Sequence, residues 1–447
     1  MNKTLRRVLC AASAVVLGVT GLSGCGGDAA EDDSKGRVYY LNRKAEELDT
    51  WVKLGKQFEE ETGIPVQVQG GADYDAALRS QLPKKNAPTI FTIDGPGMLE
   101  SYKEYEADLS DAAVYTELKD NYKVNALTND EGDPVAVPFA VESYGIIYNK
   151  ALLDKYFKSS WSTVKSIDEL NNFDALKTVA DEIQDHKDEI GVKGAFSSAG
   201  LESSGTFRYY FHMPAIPLFY ELQDRELPLT EVAKDIKGTY IKENLKQLYD
   251  LYLTDSTVDP KTLPGRTLDE SLAEFATGQA VFLQNGVWCW NQIKDQSVAA
   301  EDIGVLPIYI GVEGEEDQGL TQVMSNYWCI NSNVSEADQE ASKQFLEWLI
   351  TDETAKKTIT EDMGLVTPFA TFGEEYKVDN PLVQANVEAQ AAGKFDTSTV
   401  FTPSHAWEND LVTALINYTQ GTGDWDDVVS VFTTDWAEEY KLNYEKD

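Results

Sequence analysis

Histidine, cysteine and methionine are scarce in this chain, at three, four and five residues among 447. His186, His212 and His405 stand far apart in sequence and no CxxC pair occurs, so nothing has the ligand spacing of a zinc site. Basic residues are also few. The 38 Lys+Arg face 76 Asp+Glu, a formal charge of −38. Binding to nucleic acid or to anionic lipid relies on basic surface that releases counterions, so both are excluded as partners. Familiar catalytic motifs are missing as well. Gly200-Leu201-Glu202-Ser203-Ser204-Gly205 is not G-x-S-x-G, and no H-E-x-x-H occurs. The acidic turn Asn129-Asp130-Glu131-Gly132-Asp133 has Leu127 where an EF-hand loop needs its first aspartate, and reads as a solvated hairpin loop. Gly95-Pro96-Gly97-Met98-Leu99-Glu100 follows a strand and opens a helix, but it lacks the third glycine of a dinucleotide fingerprint. It reads as a turn at the carboxyl end of a strand, where open α/β sheets line ligand crevices, which makes Asp94 a site candidate. No internal repeat is found.

What is present begins at the amino end. Lys3, Arg6 and Arg7 precede the apolar run VLCAASAVVLG, and Leu22-Ser23-Gly24-Cys25 follows. A basic stretch, a short apolar stretch and a small-residue cleavage site make a secretory signal. The run is shorter than the roughly 20 apolar residues a membrane span requires, and no later run reaches that length. Leu-Ser-Gly-Cys resembles the lipobox of bacterial lipoproteins, in which the cysteine is acylated and becomes the first residue. Ordinary secretion, with Cys25 an incidental thiol, is the alternative. Residues 1–24 are thus expected to be a signal peptide and 25–36 a lipid anchor with a flexible spacer. The mature protein should sit on the outer face of the membrane. Cys10 leaves with the signal, so Cys289 and Cys329 remain either to form a disulfide or to be buried thiols.

From Val38 onward the pattern alternates strand and helix. Val38-Tyr39-Tyr40-Leu41 is a strand, then a helix carries Trp51, Leu54 and Phe58 on one face and stops at Thr62-Gly63 before Pro65. Strands at 65–69 and 89–93 flank a helix over 73–82. This order predicts a parallel sheet with crossover helices. Residues 135–148 read as two strands around Glu142-Ser143, an acid where lobes cross or a pocket opens. Aromatic clusters stand out: Arg208-Tyr209-Tyr210-Phe211-His212, Trp288-Cys289-Trp290 beside an Asn-Gly turn, Tyr327-Trp328 and Trp407-Glu408-Asn409. Any single aromatic is more often core than site. Together with acids and amides they suit sugars, whose C–H faces stack on flat rings while hydroxyls meet polar groups.

Gly278-Gln279-Ala280 through Asn285-Gly286-Val287-Trp288-Cys289-Trp290 carries the most specific likeness. Supporting fragments occur in order, among them Lys56-Gln57-Phe58, Pro138-Phe139-Ala140-Val141-Glu142, Ile303-Gly304-Val305-Leu306-Pro307, Lys343-Gln344-Phe345-Leu346 and Leu415-Ile416-Asn417. With them the chain resembles extracellular solute-binding proteins of carbohydrate ABC importers, the maltose-binding-protein family, from residue 38 to its carboxyl end. The resemblance implies a two-lobe α/β fold of the periplasmic-binding-protein type II class. Residues 37–141 plus 328–366 would form one lobe and 142–327 plus 367–447 the other, with the ligand between them. It implies an oligosaccharide ligand, ABC-importer membrane subunits as partners, a monomer, and no cofactor, metal or chemistry of its own. Trp288 is expected to stack on a sugar ring and Glu142 to accept hydroxyls. Asn42, Arg43 and Asp94 should supply polar contacts, and Tyr210 and Trp407 further aromatic ones. Cys289 and Cys329 are expected to be free, because a bridge near the lobe boundary would restrict closure. The Gly95-Pro96-Gly97 turn departs from the family, replacing a region that elsewhere gives an aromatic contact. An exported glycoside hydrolase, or the same fold holding a cationic ligand, remains open at this point.

Overall fold

The computed structural model describes residues 35–44, 47–71, 74–294, 296–324 and 326–445. The signal segment and Cys25 lie outside the described residues. Among the described residues, two six-stranded sheets form the frame. In the first, the order is β2 (Val66–Gly70), β1 (Val38–Asn42), β3 (Ile90–Ile93), β11 (Tyr327–Ile330), β5 (Pro134–Pro138) and β4 (Leu127–Thr128). β1 runs parallel to both β2 and β3. The sheet as a whole is mixed rather than parallel, because β11, from later in the chain, runs antiparallel to β3 on one side and to β5 on the other, and β4 runs antiparallel to β5.

All five residues of β1 are buried. Its side chains alternate between two cores: Val38 and Tyr40 join one, Leu41 the other. A strand covered on both faces has no reason to alternate apolar with polar, which is why VYYLN reads as a continuous run. The helix Leu48–Thr62 lays Trp51, Leu54 and Phe58 onto the first of these cores. It ends at Gly63, whose φ of +72° is the left-handed conformation that glycine adopts without steric cost.

The second sheet runs β12 (Phe395–Ser398), β10 (Gln318–Val323), β6 (Glu142–Asn149), β8 (Ala280–Gly286) and β7 (Gly194–Phe196), with β9 (Ile303–Leu306) paired to β6. Only three residues separate β5 from β6, and these belong to different sheets, so the chain crosses between lobes at 139–141. It crosses back beside that point between β10 and β11, where Phe139 N donates to Asn326 O at 3.1 Å. The lobe limits expected at 327/328 and 366/367 move. Tyr327 pairs with Ile93 and Pro138 in the first sheet, and Phe369 and Phe372 pack in the first lobe's core.

Asn285-Gly286 is not a turn. Both residues close β8, opposite Gly145 and Tyr144, and Gly286 is extended at φ −88° and ψ 164°. The chain bends one residue later, through a 3₁₀ turn over Val287–Cys289.

Cys289 and Cys329 are free, buried thiols in separate cores, one in each lobe. Burial pushes both thiols up from the ordinary value, so neither is a ready nucleophile. Thiol titration should find both unreactive in the native protein and both reactive in denaturant. Two groups that stay unreactive in denaturant would mean a bridge.

Candidate functional site

A cavity of about 370 Å³ lies where the two lobes meet. Lobe one supplies Arg43, Lys44 and the turn Asp94–Met98; lobe two supplies Tyr210, Trp288, Phe401, His405 and Glu408; Glu142 and Asn326 come from the crossings. Trp288 projects from the 3₁₀ turn after β8 and is half-buried, packing against the cores on both faces of the second sheet. Its ring folds back over Gly286. A β-carbon placed there would lie only 2.1 Å from the ring, so a bare α-carbon is what lets the indole take this position. The His212 ring stands edge-on to it at 5.4 Å.

His212 is itself stacked on Tyr144 at 4.0 Å. Burial, with Arg208 nearby, holds its pKa well below the usual value, so the ring is neutral. A neutral imidazole can accept at Nδ1, where Gln284 Nε2 sits at 3.2 Å. Arg208–His212 forms a π-helical turn, a device common at functional sites, which places Tyr210, Phe211 and His212 on the cleft. Burial raises the Tyr210 hydroxyl, leaving it a neutral donor or acceptor.

The charged groups of the cleft come in opposite-charge pairs. Lys44 Nζ lies 3.1 and 3.3 Å from the two oxygens of Glu142, and Asn326 Nδ2 donates to Glu142 Oε2 at 3.3 Å. Asn42 sits behind this pair. Its Nδ2 donates to the Lys44 carbonyl at 2.6 Å, and its Oδ1 accepts from Lys44 N at 3.1 Å, so it sets the bend that aims the lysine. Lys44 Nζ also lies 5.9 Å from the centre of the Trp288 ring. Arg43 Nη1 meets Asp94 Oδ2 at 2.7 Å, and His405 Nε2 reaches the same oxygen at 3.6 Å from the other lobe. His405 Nδ1 lies 2.8 Å from Glu408 Oε2.

The Glu408 hydrogen bond, with Asp94 and Asp75 adding to it against the effect of burial, raises His405 from 6.5 to about 9. A raised folded-state pKa stabilises most below the unfolded value of about 6.5, and that contribution fades as pH climbs through about 9. Melting temperature should therefore fall more steeply between these pH values in the natural protein than in His405→Gln. Parallel curves would remove His405 from the pH response.

Residues 53–391 match the family model described as bacterial extracellular solute-binding protein. The chain belongs to that family. Among curated relatives of this solute-binding protein is the melibiose/raffinose/stachyose-binding protein MelE of Bacillus subtilis, 26% identical over 57% of the chain and 58% of MelE. A maltotriose-binding protein of Pyrococcus abyssi is 23% identical over 78% of the chain and 70% of its own length. The chain thus spans little more than half of the first relative. Solved structures share the fold. RafE in complex with raffinose superposes with a TM-score of 0.66 over 90% of this chain and 99% of RafE, at 17% identity. Maltose-bound T. maritima MalE3 gives 0.63 over 91% and 99%, at 18% identity. The two-lobe architecture expected from the sequence is thereby established.

Within the solute-binding protein, Trp288, Glu142, Arg43, Asp94 and Tyr210 converge on the cleft. Asn42 stands one layer back. Trp407 does not reach the cleft at all: it is 0% exposed, its Nε1 donates to Val431 O at 2.7 Å, and Phe432 and Trp436 pack edge-on against it. On the helix His405–Gln420, residues 405 and 408 share the cleft face, and 407 points away from it into the core. Lys44, Asn326, Phe401, His405 and Glu408 were not picked out from sequence. Lys44 directly follows Asn42-Arg43 and Glu408 directly follows Trp407, so an adjacent signal existed for those two. Among the described residues no cluster of His, Cys, Asp and Glu is arranged to hold a metal, and no helix is long and apolar enough to cross a membrane.

Proposed function

We propose that this protein is a lipid-anchored receptor that binds a short oligosaccharide between its lobes and delivers it, unchanged, to the membrane subunits of an ABC importer. The observation that carries the reading is Trp288, a half-buried indole in the lining of a cleft whose charged groups are matched cation to carboxylate. Matched pairs leave little net charge to attract an ionic ligand, yet they offer donors and acceptors side by side. Sugar hydroxyls use both. The cleft therefore favours a neutral polyol over the cationic ligand that the chain's overall charge would allow. Binding near 1 μM requires about −8 kcal/mol. One stacked ring and several satisfied hydrogen bonds, each about 0.5–1.5 kcal/mol, account for most of it. The names of the relatives support the sugar class, and the expected lipobox supports the anchor.

A thermal-shift panel of melibiose, raffinose, stachyose and maltotriose tests the ligand class. A true ligand at 100 times its Kd stabilises by about 2.7 kcal/mol, so melting should rise with concentration for at least one sugar. The same sugar should be recovered intact after long incubation; cleavage would favour the hydrolase. No shift with any saccharide would reject the sugar reading. Cys25→Ser should release the protein from the membrane fraction with sugar affinity unchanged. Retention on membranes after washing would reject the anchor.

A further inference from the structure

The turn after β3 meets the opposite lobe at Asp94 and Gly95. Asp94 Oδ2 lies 3.6 Å from His405 Nε2. A β-carbon placed on Gly95 would lie 2.9 Å from both Cδ1 and Cε1 of Phe401, so the aromatic ring already rests against the bare α-carbon. One placed on Gly97 would meet Tyr444 Oη at 3.8 Å, ordinary contact. Gly95 and Phe401 both line the cleft, one from each lobe. Where the Phe401 ring of one lobe rests on the Gly95 backbone of the other, no sugar ring can pass between them. The cavity of about 370 Å³ is also near the lower end of ligand sites, which run from roughly 300 to 1,000 Å³.

We propose that Phe401 seated on Gly95 is the end wall of the binding groove and sets the longest saccharide the cleft accepts. The proposal rests on the sugar reading above. It explains the Gly95-Pro96-Gly97 turn: glycine at 95 makes room for an aromatic ring that arrives from the other lobe. Pro96 starts the helix Pro96–Tyr102 at a position where its missing N–H costs nothing, which holds the turn in place.

The test is calorimetric titration of melibiose, raffinose and stachyose, a series of increasing length, into the natural protein and into Phe401→Ala. Removing the ring should weaken the shortest ligand bound and raise the ratio of stachyose to melibiose affinity by at least about tenfold, equivalent to 1.4 kcal/mol. A ratio unchanged in a variant that still binds would overturn the wall. A second measurement needs no sugar. The double variant Gly95→Cys/Phe401→Cys should be cross-linked by a short bifunctional thiol reagent, since Cys289 and Cys329 are buried and do not compete. Absence of that cross-link would also overturn it. If the natural protein binds none of the saccharides, the sugar reading falls, and the cross-link alone decides whether these residues close the cleft.

Discussion

Trp288→Ala is expected to weaken sugar binding by about 1–3 kcal/mol, the loss for a stacked ring and its buried area. The melting temperature of the free protein should change little, because the ring is only half-buried and leaves part of itself in the cleft. Two residues on, Trp290 is 7% exposed and packs in the core with Phe275 and Ile293. Trp290→Ala should therefore lower stability by about 3–5 kcal/mol through a cavity. Paired calorimetry of binding and unfolding separates the two. Normal affinity in Trp288→Ala, with a large loss of stability, would make Trp288 ordinary core.

Trp407→Ala carries the largest expected effect on folding. The indole is fully buried between Phe432 and Trp436, and its Nε1 satisfies the Val431 carbonyl. Truncation leaves a large cavity, at about 3–5 kcal/mol, and removes one of two donors to the Val431 carbonyl, which keeps its backbone bond from Trp436 N. Sugar affinity measured well below the lowered melting temperature should stay within a few-fold of normal. Loss of binding with stability intact would return Trp407 to the ligand site and reject the core placement.

The two tryptophans show what was legible in the sequence and what was not. Trp288 was found because the strand ending in Asn-Gly and the W-x-W spacing are local. The turn assigned to Asn-Gly was wrong for a non-local reason: Asn285 and Gly286 pair with Gly145 and Tyr144 of β6, and cross-strand pairing overrides a dipeptide's turn preference. What Gly286 supplies is room for the indole. Trp407 was misplaced by one residue, which on a helix turns a side chain by about 100°. That step separates the cleft face carrying Glu408 from the core face. β1 and β3 were read correctly because burial on both sheet faces leaves an uninterrupted apolar run, and the edge strand β2 because its valines alternate with glutamines. The antiparallel entry of β11 was not, since its partners β3 and β5 lie far back in the chain. Phe401 and His405 escaped notice for the same reason. Their importance comes from Gly95 and Asp94 across the cleft, and no local pattern encodes that approach.

A crystal structure with the best-binding saccharide of the panel would show whether the cleft between the lobes holds the sugar. The expected density is a sugar ring against the face of Trp288, with hydroxyls reaching Glu142 and Lys44. Density in the groove beside Tyr148 and Lys150 of the second lobe, with Trp288 untouched, would contradict it.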